Sequence, residues 1–323
     1  MKLLLAGGAG YIGSVLIPKL LDRGYEVDVV DLLWFGNQLP PEATIIKKDL
    51  FDLTEEDLKG YEQVIFLAGL SNDPMAEFSP KVNFIQNAAA PAYLAYIAKQ
   101  AGARRYIYAG SCSVYGYTVN QLYDEESPAV SSYPYGISKL QGEQSVLQMQ
   151  DDNFSVICFR QGTVSGYSPR MRLDLVVNTM FKTAMQTGQI TVNNPSIWRP
   201  ILSIQDAAAA YIRAIEANYD ISGLFNIASD NYTVGEIADY VKEAVERHTG
   251  RHIHLNIKHI QDYRNYKVST EKARKVLSFK AKHDVPAIID SLFDNLDRFK
   301  DFDNPKYYNI KVFTRLVEEG QIQ

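Results

Sequence analysis

Tyr135 and Lys139 are the pair of residues in this sequence best suited to moving a proton. They lie four positions apart in a segment predicted to be helical, so both side chains project from one face. A free phenol with a pKa of about 10 is too weakly ionised to act as a base near neutral pH, but a nearby ammonium group favours the phenolate. Such a pair can remove a proton from a hydroxyl group.

The Tyr-x-x-x-Lys spacing does not select this pair by itself, because it recurs at Tyr263 and Lys267 and at Tyr307 and Lys311. Only the first pair lies on a helix that follows a predicted strand with a suitable third residue, Ser111, at its carboxyl end. Ligands bind outside the carboxyl ends of the strands in parallel sheets. We therefore predict that Ser111 hydrogen-bonds the reacting oxygen of the substrate.

Two further residues follow Ser111 directly in the chain. Ser113 is a second candidate contact to the substrate. Cys112 is interpreted as a small packed residue. Only one other cysteine, Cys158, is present, so we expect no disulfide framework, and a reducing cytoplasm suits the chain.

A glycine-rich turn follows the first predicted strand. Gly7, Gly10 and Gly13 permit a tight turn, close approach of the backbone to a phosphate, and close packing of helix on strand. The following helix N-terminus, at Tyr11 and Ile12, offers N–H groups and the positive end of a dipole to an anion. A glycine-rich turn without a ligand is the alternative. Its position at the head of a strand–helix series favours a pyrophosphate site.

Asp31 ends the second predicted strand, about 20 residues after the glycine turn. An acid at that place accepts hydrogen bonds from the ribose hydroxyls of an adenosine and repels a 2′-phosphate. No arginine follows it within the next few positions. The sequence therefore predicts NAD, rather than NADP, as the cofactor.

The elements that must position these residues alternate between strands and helices in the first half of the chain. There the predicted strands are 2–6, 26–30, 44–47, 63–67, 104–109 and 154–159, and the predicted helices are 11–23, 82–101 and 133–150. After residue 166 we predict helices at 174–187, 205–217 and 234–248, strands near 190 and at 223–227 and 252–257, and a mostly helical remainder.

This order predicts an α/β fold with a Rossmann-type doubly wound parallel sheet. We expect an NAD-binding domain over residues 1–165. We expect a smaller substrate-binding lobe over residues 166–323, interleaved with parts that return to the first domain.

The composition is ordinary for a folded protein, with 46% hydrophobic and 22% charged residues. A net charge of −5 gives no sign of the basic surface that nucleic acid requires. No apolar run approaches the roughly 20 residues that cross a bilayer. We therefore expect a cytoplasmic protein without a nucleic-acid or membrane partner.

Together the motifs resemble the extended short-chain dehydrogenases/reductases, and more narrowly the NAD-dependent sugar-nucleotide epimerase/dehydratase family. The matching residues, between residue 1 and about residue 290, are the Gly7/Gly10/Gly13 turn, Asp31, Asp49-Leu50, Leu67-Ala68-Gly69, Asn87, Ser111 with Val114-Tyr115-Gly116, and Tyr135-x-x-x-Lys139.

The resemblance implies roles for these residues. Asp49 and Leu50 would flank the adenine, and Ala68 and Gly69 would line the dinucleotide cleft, with Leu67 and Asn87 in the same cofactor site. Ser111, Tyr135 and Lys139 would be the catalytic trio. The resemblance further implies NAD as cofactor, a nucleotide-linked sugar as substrate, and a homodimer formed through the helix near 82–101 and the helix of Tyr135.

Two segments of the second half resemble the family's diphosphate-binding segments. One is Trp198-Arg199-Pro200, and the other runs from Asp262 and Tyr263 through Arg264 to Tyr266. Arginine suits bidentate contacts to phosphate, so Arg199 and Arg264 are predicted to meet the diphosphate. Further candidates for the same pocket are Arg172 and Asn178, and more weakly Arg160 and Arg170.

Departures from the family pattern narrow the reaction. The dehydratases carry an Asp-Glu pair directly after the catalytic hydroxyl residue, the decarboxylases keep a Glu at the second position, and the reductive deoxysugar synthases have a Cys there with a distant His. This chain has Cys112 and Ser113, and its five histidines all lie at or beyond position 248. The resemblance thus implies a nucleotide-sugar epimerase that oxidises the sugar transiently to a keto-sugar and reduces it again, at C4.

Other functions stay open. A nucleotide-sugar ketoreductase or a dehydratase with an unfamiliar acid would use the same scaffold. A non-enzymatic dinucleotide sensor would not need an intact Ser/Tyr/Lys trio. No metal site is predicted, because the group His248, His252, His254 and His259 has neither a cysteine nor a dense acidic group beside it.

Overall fold

The structure is a computed structural model that describes residues 1–260 and 264–322. Its centre is a seven-stranded parallel sheet with the order β11-β7-β5-β4-β1-β2-β3. These strands are β1 (Lys2–Ala6), β2 (Glu26–Val30), β3 (Thr44–Ile46), β4 (Gln63–Phe66), β5 (Arg105–Ser111), β7 (Ser155–Gln161) and β11 (Gly223–Ile227). The predicted doubly wound α/β sheet is therefore confirmed.

Helices cover both faces of this sheet. The helices of the first half are α1 (Gly13–Leu21), α2 (Asp73–Phe78), α3 (Pro80–Phe84), α4 (Ala90–Gln100) and α5 (Pro134–Leu147). Alternate residues of β1 show the two layers: Leu3 and Leu5 join a cluster with α1, whereas Leu4 and Ala6 join a cluster with α4. A strand buried on both sides is a continuous apolar run, as the first predicted strand is.

The helical stretch predicted over 82–101 is present at residues 80–100, but it is not a regular α-helix throughout. The structure has α3, then a π-helical turn (Ile85–Ala89), then α4. Pro91 explains the break, because it has no N–H to donate to the carbonyl of Asn87 four residues earlier. The hydroxyl of Tyr108 in β5 donates to that carbonyl instead, at 3.1 Å. Helix α2 (Asp73–Phe78) was not predicted from the sequence, although Asn72 marks its N-terminus by accepting a hydrogen bond from the Met75 N–H.

The second half adds smaller sheets at the carboxyl edge of the central one. They are formed by β8 (Thr163–Ser165), β10 (Trp198–Ser203) and β12 (Asp230–Thr233); by β9 (Gln189–Asn193) and β13 (His254–Lys258); and by β6 (Tyr117–Tyr123) and β14 (Asn265–Val268). Here the sequence interpretation missed β6, β8, β10, β12 and β14. Each is short and partly polar, and β6 finds its parallel partner β14 more than a hundred residues away, so no local pattern marks the pair.

The helices of the second half are α6 (Val176–Thr187), α7 (Ile204–Glu216), α8 (Val234–Thr249), α9 (Glu271–Val276), α10 (Val285–Asp294) and α11 (Asn309–Glu318). Two elements return to the first half, since β11 pairs with β7 and α7 shares a hydrophobic cluster with α1. In the described part of the chain, no helix is both long enough and apolar enough to span a membrane.

Candidate active site

Two adjoining cavities open at the carboxyl edge of the central sheet. The larger, of about 310 Å³, is lined by Ser111, Ser113, Tyr135 and Lys139 among others. The smaller, of about 120 Å³, is lined by Asp31, Asp49 and Leu50 among others. Their shared wall consists of Gly7, Gly10, Phe35, Leu67, Ala68, Gly69 and Leu70, so the two form one continuous cleft.

The glycine turn occupies the middle of this cleft. Gly7 has a φ of +75°, and a Cβ there would lie 2.5 Å from the backbone of Ala68. A Cβ on Gly13 would lie 2.0 Å from the carbonyl oxygen of Gly8, which explains the close packing of α1 on the turn. At Gly10 a Cβ would meet only the Gly7 oxygen, at 3.1 Å, and would fill the cleft instead. The turn is therefore a cradle that fits a pyrophosphate at the N-terminus of α1.

Asp31 ties that turn to the end of β2. Its Oδ2 accepts a hydrogen bond from the Ala9 N–H at 3.0 Å, and its Oδ1 accepts one from the Leu33 N–H at 2.8 Å. Burial raises the pKa of the Asp31 carboxyl, although these two hydrogen bonds lower it. Each carboxylate oxygen has a further lone pair, so Asp31 can still accept ribose hydroxyls in the smaller cavity.

Other predicted cofactor residues contribute in two ways. Tyr11, Ile12, Leu67, Ala68 and Gly69 line the cleft, as do Asp49 and Leu50 at its smaller end. Gly13 and Asn87 do not line it. Asn87 is buried and donates to the Leu70 carbonyl at 3.0 Å, and its Oδ1 would be 2.2 Å from a Cβ on Gly69. Asn87 thus shapes the wall of the cleft from behind.

The three predicted catalytic residues meet in the larger cavity. Ser111 is the last residue of β5, and it lines the cavity together with Tyr135, whose pKa its side chain lowers. The Ser113 Oγ donates to the Ser111 Oγ at 2.9 Å, which extends the chain of hydroxyls by one. Lys139 donates from Nζ to the Ala109 carbonyl at 3.0 Å.

Burial shifts the pKa values of both members of the Tyr-x-x-x-Lys pair toward the neutral forms. It lowers the pKa of Lys139 from 10.5 to about 7. It also raises the pKa of Tyr135, against the hydrogen bond from Ser111 and the charge of Arg172, which lower it. In the ligand-free structure the pKa of Tyr135 is thus shifted opposite to the expected effect of a neighbouring ammonium group, because partial burial of the phenol outweighs the neighbouring charges.

A buried ion pair anchors the helix that carries Tyr135 and Lys139. Glu143, one turn beyond Lys139 on α5, accepts two hydrogen bonds from Arg160 of β7 at 2.8 and 2.6 Å. Arg160 also donates to the Tyr115 hydroxyl at 2.9 Å. Arg160 was a weak candidate for substrate binding. The structure instead places it outside the cleft lining, where it positions α5 against the sheet.

Charged side chains from both halves line the larger cavity: Lys139, Arg170, Arg172, Arg199 and Arg264, with Asp73 and Asp174. Even without Lys139, whose pKa burial lowers to about 7, four arginines against two carboxylates leave an excess of positive charge inside a protein whose net charge is −5. Such a focused field suits the diphosphate of a nucleotide. The overall composition, with its negative net charge, gives no sign of this local excess of positive charge.

Most of these arginines are oriented by protein partners. Arg172 pairs with Asp174 through two hydrogen bonds, at 2.8 and 3.1 Å. Arg170 lies on the Phe35 ring, 3.7 Å from its centroid, and donates to Asn309 at 2.5 Å. Burial lowers its pKa to about 9.

The two arginines predicted to meet the diphosphate lie side by side. Arg199 donates to the carbonyl of Arg264, and Arg264 donates to Asp73 Oδ2 at 2.6 Å. Both line the larger cavity. Asp262 and Tyr263, from the same predicted segment, lie outside the described residues.

Asn178, also predicted to contact the substrate, does not line the cavity. Its side chain donates to the Arg172 carbonyl at 2.8 Å and to the Tyr11 hydroxyl at 3.1 Å, and it accepts the Gly166 N–H at 3.0 Å. Every polar atom of Asn178 is thus engaged with the protein. Its hydrogen bonds position Tyr11 and Arg172, which do line the cavity.

Among the lining residues, Asp73, Asp174 and Phe35 were not predicted from the sequence, whereas Tyr266 belongs to the predicted diphosphate-binding segment. One signal could have found Asp73. It belongs to a polar run, Ser71-Asn72-Asp73, that follows the carboxyl end of β4, where ligands bind in parallel sheets. Phe35 carries no comparable signal in the sequence.

The remaining candidates have structural surroundings. Cys112 is buried, and burial raises the pKa of its thiol, in line with the interpretation as a packed residue. His248 stacks on Phe293 at 3.9 Å between ring centroids. His252 hydrogen-bonds Glu246 at 2.9 Å. Over residues 1–260 and 264–322, no three metal-ligating side chains are grouped to hold an ion.

A family model, that of the NAD dependent epimerase/dehydratase family, matches residues 3–228. The chain belongs to this family. Membership confirms the resemblance that the motifs carry, and with it NAD as the cofactor. The match ends just after β11, the strand that completes the central sheet.

Several known proteins resemble the chain over most of its length. The UDP-glucose 4-epimerase of Corynebacterium glutamicum is 25% identical over 305 residues, covering 88% of this chain and 92% of the relative. The UDP-glucose 4-epimerase of Bacillus subtilis is 24% identical and covers 78% of this chain and 84% of the relative.

Solved structures agree on the fold. MoeE5 in complex with UDP-glucuronic acid and NAD superposes with a TM-score of 0.81 at 24% identity, covering 92% of this chain and 99% of that one. UDP-glucose 4-epimerase from Thermotoga maritima with UDP-glucose gives 0.79 at 22% identity, covering 92% of this chain and 100% of that one.

Proposed function

We propose that this protein is an NAD-dependent nucleotide-sugar epimerase that inverts the sugar at C4. The observation that carries the proposal is that Ser111, Tyr135 and Lys139 line one cavity, located where the glycine-turn cleft opens into a region of excess positive charge. Its relatives include enzymes named UDP-glucose 4-epimerase, which supports the same reaction.

The chain's own residues divide the work. Tyr135, as its phenolate, accepts the proton of the sugar hydroxyl as that carbon is oxidised, and Ser111 would hydrogen-bond the same sugar oxygen. The positive charge of bound oxidised NAD would favour that phenolate, against the burial that raises the pKa of Tyr135 in the ligand-free structure. Lys139 is held in the site by the hydrogen bond that its Nζ donates to the Ala109 carbonyl. Bound NAD supplies a reversible hydride acceptor, held at the Gly7–Gly10 cradle and by Asp31. Arg199 and Arg264 are assigned to the diphosphate of the substrate.

The residue at position 113 favours epimerisation over its alternatives. The Ser113 hydroxyl bonds Ser111 and offers no acid for removing a proton from carbon. The second candidate, a dehydratase or ketoreductase on the same scaffold, has Asp73 in its favour, since that carboxylate lines the cavity. Loss of water or net consumption of NADH distinguishes these reactions from epimerisation.

We expect hydride taken from the substrate to return to the same substrate molecule. Catalysis then needs no added NADH, and nicotinamide absorbance returns to its starting value after many turnovers. A substrate deuterated at the reacting carbon keeps its label, with inverted configuration, as measured by mass spectrometry and NMR. Accumulation or consumption of NADH in proportion to product, or a product lighter by one water, contradicts the epimerase assignment.

We also propose a division into an NAD-binding lobe (1–165) and a substrate-binding lobe (166–323), and a cytoplasmic location, which two buried free cysteines suit.

The packed helices α4 and α5 are proposed as a homodimer interface. Between them lies a shallow depression lined by small and amide side chains: Ala88, Ala89, Ala92, Gln141, Gln144, Ser145 and Gln148. Tyr96 on the same helix is 51% exposed. Small side chains allow helices of two subunits to approach closely. We expect a dimer by light scattering, converted to monomer by Ala92→Arg but not by Glu243→Arg on α8. A monomeric unmodified protein contradicts this interface.

A further inference from the structure

Asp73 joins the two halves of the chain across the larger cavity. It lies at the start of α2, just beyond the carboxyl end of β4, and its Oδ2 accepts a hydrogen bond from Arg264 at 2.6 Å. The two residues are 191 positions apart. The Asp73 side chain is 13% exposed and that of Arg264 is 33% exposed, so the carboxylate is the more enclosed partner.

The other oxygen of this carboxylate is not accounted for by the fold. Asp73 Oδ1 is buried and has no hydrogen-bond partner among the residues that the structure describes. The other cavity carboxylate differs, because both oxygens of Asp174 are hydrogen-bonded by Arg172. A buried acceptor without a partner costs free energy of folding, and in proteins it calls for an explanation.

The position of Asp73 in the cavity indicates which kind of group would hydrogen-bond its Oδ1. Asp73 lines the same cavity as Ser111 and Tyr135, and its charge acts on Tyr135 by raising the pKa of the phenol. Asp73 therefore lines the space in which the sugar must react. A ligand hydroxyl reaching Oδ1 would supply the missing hydrogen bond.

We propose that Asp73 determines the class of sugar that this enzyme accepts. Its Oδ1 receives a hydrogen bond from a hydroxyl of a neutral sugar, and its charge excludes a sugar that carries a carboxylate. The substrate is thus a nucleotide linked to a neutral sugar rather than to a uronic acid. This inference rests on the proposed function in that both assume a nucleotide-linked sugar in the cavity.

The charges around Asp73 support that selection. Arg264 is offset by Asp73, and Arg172 by Asp174, so neither pair presents a net positive charge to a second carboxylate. The excess positive charge of the cavity comes from its other arginines, of which Arg199 is assigned to the diphosphate and Arg170 donates to Asn309. A uronate placed beside Asp73 would bring two like charges together in a partly buried site, which is strongly unfavourable. A hydroxyl in the same position donates to Oδ1 without that repulsion.

The test compares two probes on the same nucleotide, UDP-glucose and UDP-glucuronic acid, by calorimetry on the NAD-loaded protein. We expect the unmodified protein to bind UDP-glucose at least about 30-fold more tightly than UDP-glucuronic acid. Two like charges in contact lower a binding affinity by about one factor of ten or more. Asp73→Asn keeps the shape and an acceptor oxygen but removes the charge. In that variant the preference should fall to roughly 3-fold or less, chiefly through tighter binding of the uronate.

Matched variants separate Asp73 from the general charge of the cavity. Asp174→Asn removes the other cavity carboxylate, and it should leave the preference between the two probes much less changed. Asp73→Ser provides a second replacement without charge, should Asp73→Asn fold poorly, and thermal unfolding of each variant checks this. An equal shift of the preference in Asp174→Asn and Asp73→Asn overturns the assignment to Asp73.

The binding comparison does not depend on turnover. A failed epimerase assay would leave the ratio of the two affinities measurable, so the two proposals fail separately. Equal or tighter binding of UDP-glucuronic acid by the unmodified protein overturns the selection of neutral sugars. So does an unchanged preference in both Asp73 variants, or an absence of binding to either probe.

Discussion

Replacement of Tyr135 by Phe should lower kcat by roughly 10²–10⁴-fold, the usual contribution of general acid–base catalysis. The change removes one oxygen and little volume, so folding and NAD binding should persist. In the structure the lost oxygen belongs to a side chain that lines the larger cavity together with Ser111 and Lys139. Turnover of a nucleotide sugar measures the first effect, and calorimetric titration with NAD measures the second.

Two other tyrosines provide matched controls, because each belongs to a Tyr-x-x-x-Lys pair of the same spacing. Tyr307 lies in a short 3₁₀ turn beside α11 and does not line the cleft. Tyr307→Phe and Tyr263→Phe should therefore retain most of the activity. If either control variant is inactive while Tyr135→Phe is active, the catalytic pair has been assigned to the wrong helix.

The parts of the site that sequence predicts are those fixed by local backbone geometry. Gly7 has a left-handed φ, and Gly13 packs on the carbonyl of Gly8, so substitutions at either place would clash or be strained. Asp31 follows β2 directly and hydrogen-bonds the turn that precedes α1. Ser111 ends a seven-residue buried strand. Each of these features depends on residues close in sequence or on one strand end, which hydrophobic patterning locates well.

Features that depend on contacts between distant segments could not be predicted in the same way. The Arg264–Asp73 pair and the Arg160–Glu143 pair each join different elements, and a sequence pattern gives no sign of which charges will meet. Arg160 was consequently interpreted as a substrate contact, although Glu143 holds it behind the cleft. Asn178 was misplaced for the same reason, since its partners Tyr11 and Gly166 lie on separate loops.

The degree of burial of the site also could not be predicted from the sequence pattern. The Tyr135–Lys139 spacing is visible in the sequence, but the extent to which the site excludes water is not. It is this exclusion that lowers the pKa of Lys139 to about 7. The spacing predicts a charged lysine beside a phenol, whereas the structure buries Lys139 and leaves Tyr135 half-buried.

The buried lysine should make the cofactor-free protein less stable than it would be with an apolar side chain at position 139. In the unfolded chain a lysine keeps its proton up to about pH 10.4. In the folded protein burial lowers the pKa of Lys139 from 10.5 to about 7. Between these values the unfolded state binds more protons, so the stability that Lys139 costs is regained as pH rises from 7 toward 10.

Lys139→Met should therefore stabilise the NAD-free protein at pH 7, while abolishing its activity. At about 1.4 kcal/mol per pKa unit the gain has an upper limit of about 4 kcal/mol, reduced by about 1 kcal/mol for the lost hydrogen bond to the Ala109 carbonyl. Urea unfolding at pH 7, 8 and 9 measures it. The gain should shrink by about 2 kcal/mol from pH 7 to pH 9, and this difference does not depend on the contacts that the methionine makes.

The pH trend is the decisive measurement, because an apolar side chain can change stability for reasons unrelated to charge. Lys81→Met, at an exposed position on α3, serves as the control and should show no comparable trend. Buried tyrosines begin to ionise on unfolding only near pH 10, and they are common to all the proteins compared, so they cancel. A gain that is constant or grows between pH 7 and pH 9 would mean that Lys139 is charged in the folded protein. The site would then keep an ammonium group beside Tyr135 even without NAD.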